Sequence, residues 1–302
     1  MSDPPPTIGR MTTSAKVTSG ELTGGAGVTV TRPADPRLRP MFAREPLGFV
    51  ERTDVFAEWL IPSTATVTVV VNFAEAPGDL PAAFVAGVDD SHCLVKHGGT
   101  TCCLDLKLTP LGAYRLLGVP MNELAGQVVD LGDVLGAEGR RLAAMLAEPP
   151  PAAGPPSGRD EAAVWARRFD LLDRFLLRRA AAGPAPSRPV AWAWERLVAT
   201  GGLVPIGGLA DAIGWSRRHL AERFRREAGL PPKTMARIIR FSRLLGRAAT
   251  TNPVRWDRLA AECGYYDQSH LNRDFREFAG TTPADYLARR QPDGTVIGDG
   301  LG

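Results

Sequence analysis

The chain has 302 residues, 44% of them hydrophobic, and a formal net charge of +3. That is enough apolar material for one large core or two ordinary ones, and interrupting Pro/Gly-rich stretches favour two lobes. No run of about 18 apolar residues occurs, so no membrane span is predicted.

The first residues, "MSDPPPTIGRMTTSAKVTSGELTGG", contain no apolar signal core. Cys93, Cys102, Cys103 and Cys263 lack the spacing of a disulfide framework. Together these features predict a reduced, cytoplasmic protein. The charge is unevenly spread. Ser187 to Gln291 carries 18 Arg/Lys against 10 Asp/Glu, whereas the remainder carries 18 against 23. A basic C-terminal third on a mildly acidic body points to a nucleic-acid module joined to something else.

Residues 1–40 are rich in Pro, Gly, Thr and Ser, which predicts disorder. From about 45 to 107 short apolar runs alternate with turn signals. "EWLIP", "ATVTVVVNF", "AAFVAGV" and "TTCCLDLKL" read as strands, "APGDLP" and "KHGG" as turns. Beyond Leu108 the periodicity becomes helical. "TPLGAYRLLG" starts with Thr109 as N-cap and Pro110 at the first helical position, and "LGDVLGAEGRRLAAMLAE" is also helical in period. "PPPAAGPPSG" (149–158) reads as a linker. The helix predicted over 160–181 has an apolar stripe of Val164, Phe169, Leu172, Phe175 and Leu176, which serves either to dimerise the chain or to pack on its own body. "GPAPSRP" (183–189) reads as a second linker. The predicted organisation is α+β: a regulatory or sensor domain over 41–182, β-rich with helices, then an all-α domain over 190–290 and a flexible tail over 291–302.

The all-α part repeats itself. "LADAIGWSRRHLAERFRREAGLPP" (209–232) aligns with "LAAECGYYDQSHLNRDFREFAGTTP" (259–283). Leu209, Ala210, Ile213 and Gly214 match Leu259, Ala260, Cys263 and Gly264. One residue is then inserted, and Leu220, Phe224 and Pro232 match Leu271, Phe275 and Pro283. In each copy a short helix ends on a glycine that permits a left-handed turn. Ser216 or Asp267 caps the next helix. Leu and Phe spaced four apart pin that helix inward. This is the pattern of a helix-turn-helix unit, whose second helix enters the DNA major groove.

Residues 188–290, and "GYYDQSHLNRDFREFAGTTPADY" above all, resemble the DNA-binding domain of the AraC/XylS family of transcription regulators. The resemblance implies seven helices, with two helix-turn-helix units joined by a long helix over 233–249. It also implies that the two reading helices occupy adjacent major-groove segments on one DNA face. The candidate DNA-binding residues are Arg217, Arg218, Ala221, Glu222 and Arg225 in the first unit. In the second they are Gln268, Ser269, Asn272, Arg273 and Arg276. Gln and Asn pair with adenine and Arg with guanine, Glu accepts from cytosine, and Ala meets a thymine methyl. The plainer reading of Arg218, Glu222 and Arg226, spaced by four, is a solvated ion-pair stripe. His219 and His270 read as packing or phosphate-contact residues, and Tyr265 and Tyr266 as turn packing, one of them reaching a phosphate.

The body offers little chemistry. Adjacent Cys102 and Cys103 on a strand face opposite ways, and His92, Cys93 and His97 lack a metal-ligand spacing. No phosphate loop, nucleophile elbow or carboxylate pair stands out. The expectation is therefore a regulator and not an enzyme, with no cofactor and no metal. Its partners are double-stranded DNA, a small-molecule effector, RNA polymerase and a second copy of the chain. The alternative is a DNA-modifying or repair enzyme targeted by the same tail.

Overall fold

The computed structural model describes residues 16–22, 25–74, 76, 78–148, 158–291 and 296–298. Among the described residues seven strands form one antiparallel sheet: β1 (Lys16–Leu22), β2 (Gly25–Thr31), β3 (Leu47–Ile61), β4 (Val67–Asn72), β5 (Ala83–Ala86), β6 (Cys93–Leu108) and β7 (Val128–Asp130). Their order is β1-β2-β3-β6-β4-β5-β7. The period of two sets the core face. Val67, Val69 and Val71 of β4 are buried directly opposite Leu108, Leu106 and Leu104 of β6.

Helices α1 (Pro110–Leu117), α2 (Leu131–Leu135), α3 (Ala137–Ala147) and α4 (Gly158–Ala182) belong to the same body. Thr109 caps α1 as predicted, its Oγ1 accepting from the Gly112 amide at 3.1 Å. The run read as one helix over 131–148 is two, divided at Gly136, whose φ is +63°. Leu116, Leu131, Leu142 and Leu172 meet the sheet's valines and leucines around a gap of only about 20 Å³. Trp165 of α4 lies where Gly48 lacks a side chain.

The α-helical region follows as seven helices: α5 (Arg188–Ala199), α6 (Ile206–Ala212), α7 (Arg217–Ala228), α8 (Pro232–Thr250), α9 (Trp256–Glu262), α10 (Gln268–Ala279) and α11 (Pro283–Ala288). The fold is thus α+β, a strand-rich body followed by a helical domain.

Several expectations give way. Disorder was expected over 1–40, yet 16–22 and 25–31 form a hairpin paired onto β3. Gly is as common as Val or Thr in those strands, which hides them, and the hairpin docks on β3, which begins at Leu47. Residues 1–15 lie outside the described residues. "KHGG" is not a reversal. It sits inside β6, opposite a register shift between Thr53 and Ala57, so Gly99 (φ +72°) serves a bulge. The apolar stripe of α4 faces inward, with Phe169, Leu172, Phe175 and Leu176 all buried in the body's core. It is therefore core packing and not a dimer surface. The linker read over 149–158 falls, up to residue 157, outside the described residues.

The segment between α4 and α5 is held at both ends. Arg179 donates to the Leu116 and Leu117 carbonyls at 2.9 and 2.8 Å. The buried Glu227 of α7 accepts from the Ser187 amide at 2.8 Å. Nor is the tail after α11 free along its whole length. Trp59 bridges Ile297, and Gly298 donates to the Glu58 carbonyl at 2.7 Å. Residues 296–298 thereby extend the edge of β3. Val296 is the apolar residue that pays for this order, buried at 3% exposure.

Candidate nucleic-acid interface

The repeat in the sequence is a repeat in hydrogen bonds. In the first unit α6 ends at Gly214 (φ +69°), and in the second α9 ends at Gly264 (φ +77°). Ser216 Oγ accepts from the His219 amide at 3.1 Å, and Asp267 Oδ1 from the His270 amide at 2.7 Å. Each cap satisfies one of the free donors at the start of α7 or α10. The aromatic residue of each turn stacks edge-on against that same histidine. Trp215 and His219 have ring centroids 4.4 Å apart, Tyr265 and His270 5.0 Å. The histidines thus pack against the turns. The inserted residue of the second unit is Tyr266, 93% exposed beside the α10 cap.

Leu220 and Phe224 anchor α7, and Leu271 and Phe275 anchor α10, all of them buried. Phe275 contacts Phe241 of α8 and Trp256 of α9, each at 5.0 Å. Arg237 of α8 donates to Asp274 and Glu277 of α10 at 2.7 Å. The Asp274 side chain is fully buried. Burial, with the Asp274 carboxylate nearby, pushes the Tyr265 phenol up. These contacts leave one face of each helix for solvent.

That face carries the predicted readers. Gln268, Ser269, Arg273 and Arg276 are exposed on α10, and Asn272 is half-buried among them. On α7, Arg217, Arg218, Glu222 and Arg225 are exposed and Ala221 is half-buried. The first unit is partly self-satisfied. Arg218 Nε donates to Glu222 at 2.9 Å, the ion pair of the plainer reading. Both partners are exposed, so opening the pair toward a base edge costs little. The Arg217 guanidinium lies against Gly207 at the start of α6.

The body meets this interface at its margin. Gly229, after α7, sits against Val88 and Met121. Pro120, Asn122 and Glu123 face Glu222, Arg225 and Arg226 across a groove of about 370 Å³. Nothing in the local pattern around Met121 signals this junction, because it joins residues about a hundred positions apart.

On the body, Cys102 lies near Arg168 and Cys103 near Asp105, on opposite faces of β6 as the strand period requires. Burial pushes the Cys103 thiol up to about 12, so it is no thiolate at neutral pH. His92 packs against Gly280 of the second unit. Among the described residues no group of three His, Cys, Asp or Glu is placed to hold a metal ion.

Residues 209–289 match the family described as a helix-turn-helix domain. No curated protein matches the chain. Solved structures of ToxT from Vibrio cholerae are similar in fold. An apo form of a point variant, from strain SCE256, is 12% identical over 82% of this chain and 98% of that chain, with a TM-score of 0.43. A second, from strain O395, is 11% identical over 80% and 97%, with a TM-score of 0.41. A third, bound to (E)-4-(8-methylnaphthalen-1-yl)but-3-enoic acid, is 9% identical over 91% and 98%, with a TM-score of 0.39. Among the described residues no helix is long and apolar enough to cross a membrane.

Proposed function

We propose, from a C-terminal domain of the AraC/XylS helix-turn-helix type, that this chain is a sequence-specific DNA-binding transcription regulator acting in the cytoplasm. One observation carries the reading. Two helices, each capped, anchored and backed in the same way, present polar and cationic side chains outward on one domain that carries an excess of positive charge. Gln268, Ser269, Asn272, Arg273 and Arg276 are the readers we assign to the second unit. Arg217, Arg218, Ala221, Glu222 and Arg225 are those of the first. Of these, Arg218 acts on DNA only after leaving Glu222.

The body is the regulatory part in this reading. We assign a small-molecule effector to the open, charged groove between Glu123 and Arg225, about 370 Å³ in volume. Its walls carry two guanidiniums, Arg225 and Arg226, and two carboxylates, Glu123 and Glu222, which suit a polar ligand bearing both donors and acceptors. RNA polymerase and a second copy of the chain are proposed partners whose surfaces lie elsewhere than the stripe of α4.

The test is selection by the full chain from a randomised duplex pool, followed by a salt titration on the enriched site. Enrichment of one bipartite sequence is expected. Affinity should fall by about 0.9 log unit per log unit of salt for each phosphate neutralised. No enrichment, with a flat salt response, would remove the reading.

A further inference from the structure

Gly201 and Gly202 stand in succession between α5 and α6, both left-handed, with φ of +61° and +77°. Gly202 has no room for a side chain, and at Gly201 the left-handed φ disfavours one. A Cβ at Gly202 would overlap the Ala236 carbonyl of α8, and one at Gly201 would meet the Arg243 guanidinium further along the same helix. The Gly202 amide donates to the Leu197 carbonyl at 2.8 Å, and the Val204 amide to Thr200 Oγ1 at 3.3 Å. The loop is therefore held closely on α8, in a conformation that only these two glycines allow without strain.

Its consequence is the placement of Leu203. This side chain is 45% exposed, so it adds little to the core of the first unit. Its Cδ2 instead fills the space left by the missing side chain of Gly264. Gly264 is the turn glycine of the second unit, just ahead of the Asp267 cap of α10. From the other side Arg240 of α8 donates to the Gly264 carbonyl at 3.4 Å. A side chain of the first unit thus rests on the turn that aims the second reading helix.

Helix α8 is the covalent joint between the units, 19 residues long. A single helix fixes distance well but bends gently and leaves rotation about its ends. The body touches each unit, at Gly229 and at Gly280, and Leu203 adds a direct contact between the two units, off the helix axis, that opposes that rotation. We infer that Leu203 is a positioning wedge, setting the separation and phase of α10 relative to α7 and so the spacing between the two half-sites that the protein accepts. This rests on the DNA reading proposed above.

One base pair added or removed between half-sites shifts one of them by about 3.4 Å along the duplex and about 34° around it. The experiment measures binding of the full chain to its selected site and to versions one base pair longer and shorter. The native protein is expected to bind the altered spacings roughly ten-fold more weakly, the scale of one mismatched base pair. Leu203→Ala should reduce that discrimination to about three-fold or less while keeping its base preferences within each half-site. Leu203→Met, which preserves reach and apolar character, should restore it.

Unchanged spacing discrimination in Leu203→Ala overturns the wedge. So does an equal loss of affinity at every spacing, which would mark Leu203 as merely structural. If Leu203→Ala does not fold, Leu203→Val decides: its shorter reach must weaken spacing discrimination or the wedge is wrong. A native chain that enriches no sequence at all is a separate failure, that of the DNA reading itself.

Discussion

The Leu60 amide donates to the Val296 carbonyl at 2.8 Å, and both side chains lie in the core of the second reading unit. A strand of the body and a residue near the C-terminus thus complete a domain formed mainly by α8 to α11. Beside them the Ser63 amide donates to the Phe278 carbonyl at 2.8 Å. Ending the chain after Gln291 removes Val296 and leaves the Leu60 donor without its partner. A lost partner costs about 1–3 kcal/mol and an uncovered apolar side chain about as much again. Urea denaturation should show a loss of roughly 2–5 kcal/mol. Faster hydrogen exchange at the Leu60 amide should accompany it. An unchanged midpoint would mean that residues 296–298 only lie along β3 and add nothing to stability.

Ser216 and Asp267 hold equivalent places, each bonding the amide three residues on. Replacing either by Ala should cost about 0.5–2 kcal/mol. The effects on DNA should separate: Asp267→Ala weakens binding at the α10 half-site and Ser216→Ala at the α7 half-site. Asp267→Asn retains an acceptor and should recover most of the loss. Footprinting over each half-site distinguishes these outcomes from a general loss of fold.

Phe175 is 5% exposed within the body's core. Phe175→Asp should therefore destabilise the body by roughly 3–5 kcal/mol, through lost packing and a buried carboxylate. Circular dichroism melting and light scattering on the same sample provide the check. A variant that melts like the native protein but has half its mass would restore a self-association role for α4.

What the sequence revealed and what it concealed follow from the range of the interactions. The paired units were legible because cap, turn glycine and anchors lie within about one supersecondary unit of each other, and because the pattern occurs twice. Thr109 over α1 was legible for the same local reason. The hairpin of β1 and β2 was not, since three glycines interrupt its strands and its docking on β3 is a tertiary contact. Val296 was hidden among charged and small residues, and its partner Leu60 is more than two hundred positions away. Leu203 looked like an ordinary loop residue; its meaning depends on the space above Gly264, which only the folded chain supplies. Among the readers, the exposed faces of α7 and α10 were legible, but the Arg225 groove was not, because Glu123 belongs to another domain.

Arg237 of α8 bonds Glu277 through both terminal nitrogens at 2.7 Å. Those hydrogen bonds hold the Glu277 carboxyl below its ordinary value of 4.5. A carboxylate lowered in the folded state adds stability that is present above its unfolded pKa and lost as pH falls through the folded value. The second unit should therefore loosen as the pH drops below 4.5. Glu277→Gln should flatten part of that dependence. Since the Glu277 side chain is 40% exposed, its neutral-pH penalty should stay below about 1 kcal/mol. Identical melting profiles against pH for both proteins would show that the pair contributes nothing to acid sensitivity.

Arg218 and Asn272 belong to different units, so they should govern different base pairs about one helical turn apart. Removing a base-contacting side chain costs about 1–3 kcal/mol and relaxes selection at one position. Removing a phosphate contact weakens every sequence alike. Arg218→Ala should therefore broaden preference at one position in the α7 half-site, after allowance for the exposed Glu222 pair that it also removes. Asn272→Ala should do the same in the α10 half-site. Tyr266→Ala is the internal contrast: at the α10 cap and 93% exposed, it is placed for a phosphate and should lower affinity without changing preference. Leu271→Ala should act differently again, because Leu271 is 1% exposed beneath the reading face. Its loss should cost about 2–5 kcal/mol of stability and blur the whole α10 half-site. Selection from one randomised pool by all four variants separates these outcomes. If Arg218→Ala and Asn272→Ala both lose affinity uniformly with unchanged preferences, the two helices grip the backbone, and sequence is read by other residues.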